Sequence, residues 1–410
     1  MSAEGFKEVN IGIMPESWGI KALPNLISHV TDNRGKTAPT SDEGIPLIAT
    51  NCIKEDALYP TYEKIRFVSK DTYDNWFRSH PKPEDIIIVN KGTPGLVCLV
   101  PDPIDFCIAQ DMIALRPDKD KIYGRYLFAY MRSGMFKHQV DGLNVGTTIP
   151  HLKKTVFKEL FIPIPSFSEQ KFIGDIYYNL SKKIELNQRM NQTLEEIGRA
   201  IFKHWFVDFE FPDEQGRPYK SSGGEMVDSE LGEIPKGWKV GKLGSLISIT
   251  SGKRPDEKSD VKKGIFTVPL VGASSLMGYV NKTLCNEPIL VIGRVGTHGV
   301  VQRIQPPSFP SDNTLIIKSK YYEFLYQILK TIDYDSLNVG TTQPLITQKS
   351  IKNYEIILPN NNILLLFEKI VLGLFNKVNT NNLEIKNLSQ IRDSLLPKLM
   401  SGKIRVKGDE

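Results

Sequence analysis

Cysteine is scarce and unpatterned in this chain. Its four residues, Cys52, Cys98, Cys107 and Cys285, form no C-x-x-C pair, which argues against a zinc ribbon or disulfide framework and for free thiols in a reducing, cytoplasmic setting. Long apolar runs are missing too: Ile363–Phe367 is halted by Glu368 and Lys369, and Met1–Asn10 carries Glu4, Lys7 and Glu8. Neither a membrane span nor a secretory leader is expected. Catalytic signatures are equally thin. Gly35-Lys-Thr37 has Val30 where a phosphate-binding loop needs glycine, and no G-x-G-x-x-G follows a strand. The six histidines, His29, His80, His138, His151, His204 and His298, stand at no metal-ligand spacing. A Glu-x-Lys of nuclease type, Glu384-Ile-Lys386, falls on a heptad helix, where a solvated face is expected. These absences predict no catalytic residues, no metal and no cofactor.

What is present is an internal duplication. Gly12-Ile-Met-Pro-Glu-Ser-Trp18 is echoed by Gly232-Glu-Ile-Pro-Lys-Gly-Trp238, and Leu26-Ile-Ser28 by Leu246-Ile-Ser248, at one constant offset. Leu143-Asn-Val-Gly-Thr-Thr148 recurs without change as Leu337-Asn-Val-Gly-Thr-Thr342, each with a proline two positions on. Between these, Ile86–Val89 runs into Gly92-Thr-Pro-Gly95, and Leu290–Ile292 into Gly296-Thr-His-Gly299. The 410 residues are therefore two divergent copies of one unit. Each copy opens on a Pro/Trp turn and continues through short β-rich runs, with brief helices near Tyr123–Arg132 and Tyr321–Lys330. The polar, Gly-rich stretch Pro212–Gly224 reads as a linker between the copies.

A long heptad helix follows each globular part. Ile173, Ile176, Leu180, Asn187, Met190, Leu194, Ile197 and Ile201 fall on one stripe of Phe167–Trp205, and Ile370, Leu374, Asn381, Leu388, Ile391 and Leu395 repeat that spacing in Asn361–Met400. Asn187 and Asn381 interrupt the two seams at matched positions, as a register-setting polar pair would. The fold class expected is α/β (α+β). Two similar globular domains are joined by two antiparallel coiled-coil helices about 50 Å long, with an approximate two-fold axis relating the copies. Such a body should read something bipartite at a fixed spacing.

Net charge of +5 and a pI near 8.7 favour an acidic partner mildly. Arg34 and Lys36 in the first copy correspond to Lys253 and Arg254 in the second: paired cations beside a flexible glycine, suited to phosphate or to guanine edges, or simply to solvent. Asn90, Lys91 and Thr93, with Arg294, Thr297 and His298, follow a strand end and flank glycines that let a backbone approach closely; the alternative is a plain hairpin turn. Thr147, Thr148, Thr341 and Thr342 suit a phosphate clamp or a structural cap. The aromatic segment Ile201–Phe211 looks like a stacking platform, yet Asp208 and Glu210 would repel phosphate, so core or partner interface is expected.

Taken together, the Met/Ile-Pro-x-x-Trp openings, the Gly-Thr-x-Gly loops, the Val-Gly-Thr-Thr-x-Pro turns, the Pro163–Gln170 lead-in and Phe202-Lys-His-Trp-Phe-Val-Asp-Phe209 resemble the specificity subunits of type I restriction-modification systems. The resemblance implies two target-recognition domains, roughly 1–166 and 216–360, alternating with helical regions 167–215 and 361–410. It also implies a non-catalytic, cytoplasmic subunit that binds double-stranded DNA, two methyltransferase subunits and motor-nuclease subunits, and no membrane. Two other readings stay open: a duplicated protein scaffold that never touches DNA, and a self-contained modification enzyme.

Overall fold

The computed structural model describes residues 5–33, 35–143, 150–295, 299–339 and 345–405. It divides into one unit of Met1–Met190 with Thr380–Glu410, and a second of Asn191–Asn379.

In the first unit, a four-stranded antiparallel sheet runs in the order Ile27–Asp32, Met112–Pro117, Ile86–Val89, Val97–Leu99. Ile86 and Ile88 face one apolar cluster while Ile87 and Val89 face another. Burial of both faces explains why the strand reads as an unbroken Ile-Ile-Ile-Val run instead of an alternating one. On one face sit the helix Gly124–Met131 and the long helix. Beyond the other lies a small sheet in which Ile45–Ile48 pairs antiparallel with Arg66–Val68 and parallel with Cys107–Ile108. A two-stranded ribbon, Gly19–Ala22 with Phe161–Ile164, joins the start of the unit to the residues that lead into the long helix.

The second unit repeats this plan strand for strand. Its sheet order is Ser248–Ser251, Thr314–Lys318, Ile289–Gly293, Val301–Ile304; its small sheet pairs Val268–Val271 antiparallel with Leu276–Val280 and parallel with Phe309–Pro310; its ribbon is Lys239–Lys242 with Glu355–Leu358. The duplication seen in the sequence is thus a duplication of topology.

The long helices are Phe167–Phe206 and Asn361–Met400, 40 residues each, and the boundary between units falls within both. Inside each unit their segments pack antiparallel. Tyr177 meets Arg392 and Asn187 meets Glu384 in the first unit, and Phe202 and Trp205 meet Phe367 in the second. The polar pair lies where the spacing places it, with Asn187 and Asn381 both buried. Ile173 is buried as the stripe predicts, but beyond these positions the seam is rotated about one position. Tyr177, Ile184, Gly198 and Phe202 are buried, as are Val371, Phe375 and Val378, whereas Met190, Ile197, Ile370 and Ile391 are exposed. The physical reason is that each helix packs against its partner and its globular domain together, so the buried arc follows the domain as well as the heptad. Glu384 is not simply solvated: it accepts a 3.0 Å hydrogen bond from Asn187 Nδ2 and pairs with Lys183.

The helices Gly124–Met131 and Tyr322–Thr331 are each capped by a side chain of the long helix in their own unit. Gln170 Oε1 accepts from the Tyr123 amide at 2.9 Å, and the Glu368 carboxylate accepts from the Phe324 amide at 2.8 Å and the Glu323 amide at 3.2 Å, which satisfies amides that the first turn leaves open. The expected linker is ordered. Phe211 stacks on Tyr219 and Trp238, with ring centroids 4.6 and 4.8 Å apart, and Asp213 pairs with Arg217; Phe209, Phe211 and Trp238 belong to the second unit's core. All four cysteines are free and buried. Burial pushes the Cys107 thiol up to about 12 and that of Cys98 higher still.

Candidate nucleic-acid interface

The sequence motifs converge at one end of each four-stranded sheet. In the first unit, strand Ile27–Asp32 leads into Asn33, Gly35 and Lys36, while Ile86–Val89 ends at Asn90–Gly95 beside the start of Met112–Pro117; Asn90 N donates to Asp111 O at 2.9 Å. The segment that follows the Val-Gly-Thr-Thr motif in the sequence is brought to the same place. Gly92 N donates to Pro150 O, Leu152 N donates to Asn90 O, and Lys91 bridges His151. Gly95, at φ +87°, could not carry a side chain: a Cβ there would stand 2.9 Å from Val140.

The second unit assembles the same three pieces. Gly252 N donates to Thr314 O, Lys253 N to Pro310 O, Arg294 N to Asn313 O, and Ile346 N to Arg294 O, with Val295 bridging Leu345. A Cβ on Gly252 would lie 2.1 Å from Ser311 O, so glycine is required for Lys253 and Arg254 to leave the strand where they do.

Lys36, Lys91, Thr93, Lys253 and Arg254 are exposed at these ends and Arg294 is half-buried. None of the five cations forms an ion pair with a described residue, which leaves them available to an anion. Asn90 differs: it is 4% exposed, its amide behind the loop that its neighbours present. Arg34, Thr147, Thr148, Thr297, His298, Thr341 and Thr342 lie outside the described residues.

The structure adds residues that the motifs did not suggest. Lys154, four positions after Pro150, forms an ion pair with Asp32, and Gln348, at the matching position of the second unit, bonds Ser251 through its amide at 3.0 Å. Each ties the third segment to the end of the first strand. The basic pair Lys153-Lys154 was the available signal. The aromatic segment is core: Phe202, Trp205, Phe206, Phe209 and Phe211 are buried together. Among the described residues, no group of histidine, cysteine and carboxylate side chains could hold a metal ion, and no helix is long and apolar enough to cross a membrane.

A family model described as "Type I restriction modification DNA specificity domain" matches residues 27–196 and 235–392, most of both copies. The chain belongs to that family. Among similar proteins, the type I restriction enzyme MjaIX specificity subunit of Methanocaldococcus jannaschii is 28% identical over 98% of this chain and 97% of its own length. The HindI specificity subunit of Haemophilus influenzae is 26% identical over 76% of this chain and 84% of its own. A crystal structure of a type I restriction-modification S subunit from M. genitalium shares the fold at a TM-score of 0.59 and 18% identity, covering 93% of this chain and 96% of that one.

Proposed function

We propose that this chain is the non-catalytic DNA-recognition subunit of a type I restriction-modification complex, each unit reading one half of a bipartite duplex target through the loops at its sheet end. The observation that carries the reading is the convergence, twice in one chain, of three loop segments with free cations. Backbone-supported loops suit phosphate contacts that set register, and Arg294, at a strand end, suits a base edge. Apolar side chains left exposed on the long helices, Met190, Leu383 and Ile391 in the first unit and Ile197, Ile370 and Leu372 in the second, suit docking of methyltransferase subunits, which bring the chemistry. Motor-nuclease subunits complete the complex, which works in the cytoplasm.

A gel shift on genomic fragments tests this. Binding should weaken steeply with salt, and Lys253→Ala should lower the log–log salt slope by about 0.9 if the lysine neutralises one phosphate. Arg294→Ala should cost about 1–3 kcal/mol and relax one position of one half-site. Salt-independent binding, or none, would return the chain to the scaffold reading.

A second expected outcome follows from helix length. Removing seven residues from both long helices in register withdraws about 10 Å of helix, close to three base pairs at about 3.4 Å each. The shortened, folded protein should prefer a shorter spacer or bind much more weakly. Unchanged affinity for the original spacer would show that the helices serve only as a docking platform.

A further inference from the structure

The two units differ at one buried position in a way their shared topology does not require. In the first unit Val97 pairs with Ile88 and Leu99 with Ile86, and both strand residues face the apolar cluster that includes the long helix. The equivalent strand of the second unit pairs Val301 with Ile292 and Arg303 with Leu290, which puts a guanidinium where the first unit has Leu99. The Arg303 side chain is 11% exposed. Its Cζ lies 3.5 Å from the centroid of Tyr326 and 3.2 Å from that of Phe375. One nitrogen meets the Glu195 carboxylate and the other stands 3.0 Å from Glu323 Oε2. Those partners come from the first long helix, the second long helix and the helix Tyr322–Thr331.

A largely buried ion pair such as Arg303 with Glu195 is seldom retained for stability alone, because desolvation offsets most of its attraction and an apolar replacement of similar size is often neutral or better. Leu99 shows that an apolar residue suits this strand position in the sister unit. The role is therefore sought in what the strand carries. Val301–Ile304 is the return strand of the hairpin that starts at Ile289–Gly293 and presents Arg294 at its turn. Its neighbour Gln302 points to the other face and donates to Gly272 O and Ala273 O at 2.9 and 3.1 Å. The strand is pinned on both faces.

We infer that Arg303 is a positioning residue for DNA reading by the second unit: by joining the recognition hairpin to both long helices, it fixes where that hairpin stands relative to the helices. This rests on the recognition function proposed above. Arg303 touches no base. It holds the hairpin in register with the scaffold, so its loss acts on discrimination at one half-site and leaves the other alone.

The test uses the full chain with its methyltransferase subunits and the target defined by sequencing the modified genome. The half-site read by the second unit is the one that changes when residues 216–360 are exchanged for those of another family member. Competition binding then compares the wild type, Arg303→Leu and Glu195→Gln on duplexes altered in one half-site at a time, with thermal unfolding measured in parallel. Arg303→Leu copies the sister unit; Glu195→Gln keeps the volume and cuts the tie to the first long helix, so it serves if the leucine variant does not fold. Cognate preference at the second half-site should fall tenfold or more in both variants, with preference at the first unchanged. Preference retained at both half-sites, or lost equally at both, would overturn the inference. A wild type without sequence preference would instead remove the recognition function itself.

Discussion

Alanine in place of Phe206 is expected to cost about 3–5 kcal/mol of stability, the range for deleting a buried phenyl group from a well-packed core. Phe206 is buried, with Phe324 and Phe367 at ring-centroid distances of 4.8 and 5.0 Å, Phe202 at 5.4 Å and Trp238 at 5.9 Å. These rings come from both long helices, the short helix and the Pro/Trp turn, so the void left by alanine has walls on four elements that cannot all close at once. Denaturant unfolding followed by near-ultraviolet circular dichroism should show the loss, and Phe206→Leu should recover much of it. A cost under about 1 kcal/mol would mean that the helices are held to the second unit by something other than this aromatic cluster.

The second large effect depends on pH. Burial raises the Glu323 carboxyl to about 8, with Glu368 and Glu195 adding to the rise and Arg303 opposing it. Burial also raises Glu368, against its backbone hydrogen bonds. Tyr322 and Tyr326, on the same helix as Glu323, are likewise raised by burial. Glu323 thus holds a proton in the folded protein that the unfolded chain releases near the ordinary value of 4.5. Stability should fall as pH rises from about 4.5 to about 8, by at most about 1.4 kcal/mol per pH unit from this group, and level off above. Glu323→Gln cannot ionise, so it should gain on the wild type steadily through that window and keep its lead at pH 9. Thermal unfolding of both proteins from pH 5 to 9 reads the difference, and the Glu368 contribution appears in both. Parallel curves would show that Glu323 is ionised when folded and held by Arg303.

Much of this fold is legible in the residues because its signals are local. The apolar run Ile86–Val89, the two Pro/Trp turns and the extent of both long helices follow from periodicity and punctuation. The convergence of loops was only partly legible: the motifs were visible as repeats, but their meeting at a sheet end depends on strand order, which spacing does not encode. Seam phase departs from the heptad where the helix buries Tyr177, Ser181 and Gly198. A heptad search passes over those types: Tyr177 packs on Phe128 of the globular domain, and Gly198 faces Phe375 of the second long helix. Gly198 is needed for close approach, since a Cβ there would stand 2.9 Å from Phe375. Arg303 was invisible for the converse reason. A single arginine in a strand reads as a solvent-facing residue until the elements that bring Glu195 and Glu323 to it are in place.

The burial of every native thiol has a practical use. Cys98 and Cys107 are shielded and their thiolates disfavoured by burial, and reaction with maleimides or iodoacetamides proceeds through the thiolate. The folded chain should therefore be nearly silent to such reagents, without any cysteine being removed. One cysteine introduced at exposed Lys36 and another at exposed Lys253 would accept fluorophores or spin labels selectively, so that the separation of the two loop ends could be followed in solution as DNA is added.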